Sequence, residues 1–88
     1  MKKVDVILKH ENDLHARSAS LFVKEASKYI SDIRIVKEGN EYEAKSILGI
    51  IGLGAEKGDK ITIVARGEDE EEAIAALINV LEKEPEMQ

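Results

Sequence analysis

Residues 3–8 alternate, with Val4, Val6 and Leu8 on one side and Lys3, Asp5 and Ile7 on the other, and a period of two is that of a strand with one buried face. Lys9 to Leu14 forms a polar connection. From Ala16 to about Lys28 the period lengthens: Ala19, Phe22, Val23 and Ala26 recur at spacings of three and four, which predicts a helix with one stripe against a sheet. Ile33 and Ile35 then alternate with Arg34 and Val36, Glu38-Gly39-Asn40 supplies a tight reversal, and Glu41 to Ala44 returns as a second extended piece, so a hairpin is predicted. Ser46 has the chemistry of an N-cap for a short apolar helix, Ile47 to Leu53, that Gly54 can end in a left-handed conformation. A turn at Lys57-Gly58-Asp59 leads to the β-branched strand Lys60 to Ala65. In the final helix Asp69 and Glu72 have capping-box spacing, Glu70 to Glu72 fill the first turn, and Ile74, Leu77, Ile78 and Leu81 form one stripe. Pro85 stops it, and residues 85–88 are expected to fray. The order βαββαβα predicts an α+β fold: a four-stranded antiparallel sheet with three helices on one face, a single domain over residues 1–88.

The sequence has 88 residues, no cysteine and one proline, which fits one domain with a purely apolar core and no thiolate chemistry. With a net charge of −5, no basic tract and only Phe22, Tyr29 and Tyr42 as aromatic residues, general nucleic-acid binding is disfavoured, since it rests on clustered cations and stacking rings. The apolar stretch after Met1-Lys2-Lys3 is interrupted by Asp5 and closed by Lys9-His10-Glu11, too short for a signal peptide. No run approaches the roughly 18 apolar residues that span a bilayer, and a cytoplasmic location is expected.

His15 lies where a polar loop meets the start of a helix, and there unpaired backbone N–H groups and the positive end of the helix dipole can meet an anion. Neutral imidazole is a competent nucleophile near pH 7; Arg17 could fork onto phosphate oxygens, and Ser18 or Ser20 could donate. The plainer alternative is a solvated histidine beside an unrelated arginine. His10 and His15, with Glu11 and Asp13 between them, invite a metal reading, but five helical residues turn the two rings about 140° apart and no third histidine or cysteine completes a set. Gly49, Gly52, Gly54 and Gly58 precede no Gly-Lys-Ser/Thr, and close packing and a turn explain them better than a P-loop. No spacing suggests a nucleophile elbow or a catalytic triad. On the short helix Ile47, Leu48 and Ile51 share one side, Ile50 and Leu53 another. Such a helix in a thin domain can hide one side and offer the other as a docking patch, unless a loop covers both. A phosphoryl group on Ser46 would put about −1.5 to −2 charge beside that patch without breaking the helix; a plain N-cap is the alternative. Gly67 to Glu72 reads as a solvated first turn, not a cation site.

Leu14-His15-Ala16-Arg17 followed by Ala19, together with Lys45-Ser46-Ile47-Leu48-Gly49, Leu53-Gly54 and Lys57-Gly58, resembles the active-site and regulatory-serine segments of HPr, the histidine-containing phosphocarrier of the bacterial phosphoenolpyruvate-dependent sugar phosphotransferase system. The resemblance runs from the first strand to the last helix. It implies an open-faced β-sandwich and a phosphocarrier, not an enzyme. His15, through the ring nitrogen nearer its backbone, would take phosphate from phosphorylated Enzyme I and pass it to sugar-specific Enzyme IIA, while Arg17 and the helix amides hold it. Ser46 would be the regulatory serine that an ATP-dependent HPr kinase modifies in many Gram-positive members, turning the protein into a corepressor that binds a transcription regulator. Ala16, Ser20, Lys24, Ile47, Leu48 and Ile51 would form the docking surface; no cofactor, metal, nucleic acid or membrane insertion is implied. Ser18 stands where the family usually has proline and Asp13 where it usually has glycine. The first removes a fixed φ at the helix start, and the second adds negative charge near the arriving phosphate. Two other readings remain open: a binding module controlled through Ser46 with little transfer through His15, and an ACT-like effector domain of similar element order.

Overall fold

Alternation and helical periodicity resolve into seven elements in a computed structural model, which describes residues 1–9 and 16–82, with the backbone alone at Ala16 and Arg17. They are β1 (Lys2–Ile7), α1 (Ala16–Ala26), β2 (Asp32–Lys37), β3 (Asn40–Glu43), α2 (Ile47–Gly52), β4 (Lys60–Arg66) and α3 (Glu70–Glu82). The expected tail at 85–88 lies outside the described residues. The sheet order is β1-β4-β2-β3, and every neighbouring pair is antiparallel, with Val4 opposite Ile63 and Ile63 opposite Ile35. The inner positions of the central strands, Ile33, Ile35, Ile61, Ile63 and Ala65, are buried with Ala19, Phe22 and Ala26 of α1 and Ala73, Ile74, Leu77 and Leu81 of α3. The strands' other face carries polar side chains: Arg34 reaches Asp32, Glu41 and Glu43, and the Thr62 hydroxyl donates to Asp5 at 2.7 Å. This is the open-faced arrangement, helices on one side only, that the element order predicts.

The β2–β3 hairpin closes with Glu38 at φ 52° and Gly39 at φ 82° between the paired residues Lys37 and Asn40. Positive φ at both central positions gives the turn the twist that paired strands require. At the start of α3 the sequence expectation needs revising. Asp69 does not form a reciprocal capping box. Its carboxylate accepts hydrogen bonds from the N–H groups of Ile30 (2.9 Å) and Ser31 (3.0 Å) and from the Ser31 hydroxyl, while the first helical bond runs from Ala73 N–H to the Asp69 carbonyl. The loop entering β2 is thereby locked to the loop leaving β4. Gly67 lets the two approach, for a Cβ there would lie 2.6 Å from the Ser31 hydroxyl oxygen, at a φ of 152°.

Candidate functional site

Helix α1 starts at Ala16, the residue after His15, and its first turn carries no acidic side chain. The first N–H groups of a helix lack acceptors within it, and no carboxylate in that turn offsets the positive end of the dipole. His15, His10, Glu11 and Asp13 lie outside the described residues, and at Ala16 and Arg17 only the backbone is described. Further along α1, Ala19 and Phe22 face the core, while Ser20 and Lys24, one helical turn apart, are exposed. Leu21, 57% exposed, shares that outward face. Sequence reasoning passed over it, although its place opposite the stripe of Ala19, Phe22, Val23 and Ala26 was the available signal.

Ser46 begins α2 as the sequence predicts. With φ −112° and ψ 120° it is still extended, its hydroxyl oxygen accepts the Gly49 N–H at 3.1 Å, and its carbonyl accepts the Ile50 N–H at 3.0 Å. Gly49 brings the helix close to β3: a Cβ there would stand 3.0 Å from the Glu43 carbonyl. Just before the cap, Lys45 donates from Nζ to the Tyr29 carbonyl at 2.7 Å, fastening the approach to α2 onto the turn that follows α1. Gly54, at φ 64°, ends the helix in the expected left-handed conformation.

Held in this way, α2 buries one side and presents the other. Ile50 and Leu53 are in the core, whereas Ile47, Leu48 and Ile51 are 38%, 79% and 46% exposed. Of the two sequence expectations for this helix, the uncovered apolar patch is the one observed. Ser46 is half-buried at its head, and Ser20, Leu21 and Lys24 lie on the helix packed beside it. The structure therefore places Ser46, Ser20, Lys24, Ile47, Leu48 and Ile51 on the surface of two adjoining helices. An apolar patch edged by a cation and hydroxyls is suited to docking another protein. Chemistry of phosphate would have to come from the segment that enters α1. Among the described residues no group of three or more His, Cys, Asp or Glu side chains could hold a metal ion, and no helix is long and apolar enough to cross a membrane.

Comparison with known proteins gives a consistent result. Residues 2–83 match the family described as the PTS HPr component phosphorylation site. The HPr-like protein Crh of Halalkalibacterium halodurans is 47% identical over 83 residues, covering 94% of this chain and 96% of that protein. The phosphocarrier protein HPr of Mycoplasma pneumoniae is 45% identical over 84 residues, with 94% and 96% covered. Among solved structures, HPr-C-His from Thermoanaerobacter tengcongensis superposes with a TM-score of 0.90 at 46% identity, covering 93% of this chain and 92% of that one.

Proposed function

We propose that this chain, which belongs to the HPr family of phosphotransferase-system phosphocarriers, carries a phosphoryl group on His15, taken from Enzyme I and given to Enzyme IIA. Members of the family are carriers and not enzymes: the phosphoryl group rests on the protein between two partners. The observation that carries the reading is the start of α1 directly after His15 with no carboxylate in its first turn. In the neutral ring, Nδ1 holds a lone pair when the proton is on Nε2. That lone pair forms the N–P bond while the bond from phosphorus to the donor breaks, and the same bond opens again on transfer to the acceptor. The phosphoryl group brings close to two negative charges, which the dipole of α1, its first N–H groups and the Arg17 guanidinium favour. Asp13 opposes them, so the phosphorylated state here is set by a balance of nearby charges. Ala16, Ser20, Lys24, Ile47, Leu48 and Ile51 form the docking surface for both partners. The whole chain acts as one domain in the cytoplasm, without cofactor or nucleic acid.

Incubation with phosphoenolpyruvate and Enzyme I should give an acid-labile adduct that His15→Ala abolishes. An unchanged yield in His15→Ala rejects the reading.

A second reading is favoured by the placement of Ser46. Its side chain heads α2 beside three exposed apolar residues, so an HPr kinase acting there would change the charge at the rim of the docking surface, and a transcription regulator could read that change. The likeness to proteins named Crh, one of them described as the catabolite repression HPr of Bacillus subtilis, as well as to HPr supports this alternative, in which the chain works through Ser46 with little or no transfer through His15.

A further inference from the structure

Lys37 ends β2, where a lysine would ordinarily extend into solvent, yet its side chain is only 17% exposed. Its Nζ lies 3.4 Å from Asp59 Oδ2 and 3.5 Å from the Gly54 carbonyl, just past the C-terminal end of α2. A cation is favoured at that end of a helix. Asp59 in turn organises the turn between α2 and β4. The same Oδ2 accepts the Glu56 N–H at 2.8 Å, and this bond, with the ammonium of Lys37 beside it, holds the Asp59 carboxyl below its ordinary range. The turn also grips the end of β1. Leu8 donates to the Asp59 carbonyl at 2.9 Å and accepts from the Gly58 N–H at 2.8 Å, so both of its backbone polar groups end there. Lys9 and the segment containing His15 follow directly in the chain.

From these contacts we propose that Lys37 is a positioning residue: through Gly54 and Asp59 it fixes the docking helix α2 relative to the strand end from which the His15 segment departs. A partner that docks on Ile47, Leu48 and Ile51 must reach His15 at the same time, so the relation of these two pieces governs productive docking. The ammonium group acts on no reacting atom. The functional part of the inference rests on the carrier reading above, whereas the mechanical part does not.

Amide hydrogen exchange and transfer kinetics test the two parts separately. Lys37→Met keeps the aliphatic stem and removes the charge, and Asp59→Asn removes the other charge. Either should speed exchange of the Leu8, Glu56 and Gly54 amides about threefold, as expected for a partly screened ion pair, with Ile35 and Ile63 at the sheet centre unchanged. With phosphorylated Enzyme I as donor, KM should rise about threefold at constant kcat, and Lys37→Arg should restore both readouts. Unaltered exchange at Leu8 and Gly54, or equal acceleration at Ile35 and Ile63, overturns the link. Faster local exchange with unchanged KM overturns its part in docking. If the unmodified protein takes no phosphate from Enzyme I, the carrier reading fails, and the exchange measurements still decide the link.

Discussion

Truncating the two sides of α2 separately tests whether its apolar content divides between core and partner. Ile50 is fully buried, so Ile50→Ala removes three carbons from the interior, about 2.4 kcal/mol at roughly 0.8 kcal/mol per carbon. The cavity left adds about 1 kcal/mol because α2 is pinned at both ends and the site collapses only in part. The total, about 3.4 kcal/mol, is a large fraction of the roughly 5–15 kcal/mol that stabilises a native protein. Leu48 is 79% exposed, and Leu48→Ala forfeits only the small buried remainder, under about 0.5 kcal/mol. Denaturant unfolding followed by circular dichroism should show a markedly lower midpoint for Ile50→Ala, with unchanged slope, and a midpoint near that of the unmodified protein for Leu48→Ala. Phosphotransfer kinetics should show the reverse. Loss of an anchoring leucine from an interface is worth about 1–2 kcal/mol, a rise in KM for Enzyme I of roughly 5- to 30-fold. Equal destabilisation by the two substitutions, or a KM for Leu48→Ala within about twofold of the starting value, would refute the two-sided account of α2.

Two further outcomes follow from the hydrogen bonds at helix starts. The Asp69 carboxyl is held below its ordinary value of 3.8 by the bond from the Ser31 hydroxyl and by the Ile30 and Ser31 N–H groups; its folded-state pKa is depressed, so its contribution is complete above the unfolded value and disappears as pH falls through the folded one. Asp69→Asn should therefore lower the denaturation midpoint at neutral pH, with the difference from the unmodified protein shrinking as pH falls through the depressed folded-state pKa; a difference that persists undiminished in acid would assign the loss to something other than the carboxylate. At Ser46, replacement by Ala removes the acceptor for the Gly49 N–H and should cost about 1 kcal/mol, whereas Ser46→Asp keeps a cap and should be nearly neutral in stability while changing docking. Equal unfolding midpoints for Ala and Asp at this position would show that the cap contributes nothing.

Regular features of this fold are written locally. The period-two pattern of Val4, Val6 and Leu8 marks the buried side of β1, and Glu38-Gly39 announces the hairpin, because a two-residue reversal needs positive φ and glycine supplies it freely. The division of α2 into Ile50 and Leu53 against Ile47, Leu48 and Ile51 is likewise helix geometry alone. Which side faces solvent is not local: it depends on Gly49 passing close to Glu43 and on Lys45 reaching Tyr29. Asp69 shows the limit most clearly. Spacing pairs it with Glu72, but Ser31 lies 38 residues away in sequence and supplies three donors' worth of competition together with Ile30. Long-range partners leave no periodic trace, and for the same reason the Lys37–Asp59 contact was invisible. His15 stands out through residue type, its place before a helix and family likeness, while its own surroundings lie outside the described residues.

The two proposed roles make opposite demands on one surface, and the structure of α2 indicates how both can be met. A docking patch must keep its shape when the protein is modified, or modification would simply disable it. Because the Ser46 oxygen already accepts the Gly49 N–H in the first turn of α2, added negative charge there meets the favourable end of the dipole and leaves the helix intact. Its effect must then fall on the partner: an acidic partner is repelled, and one with cations placed to meet the phosphate is drawn in. The buried pair Ile50 and Leu53 is indifferent to that charge, whereas Ile47, Leu48 and Ile51 are read under its influence. Regulation through Ser46 is on this account a choice between partners made by electrostatics at constant fold.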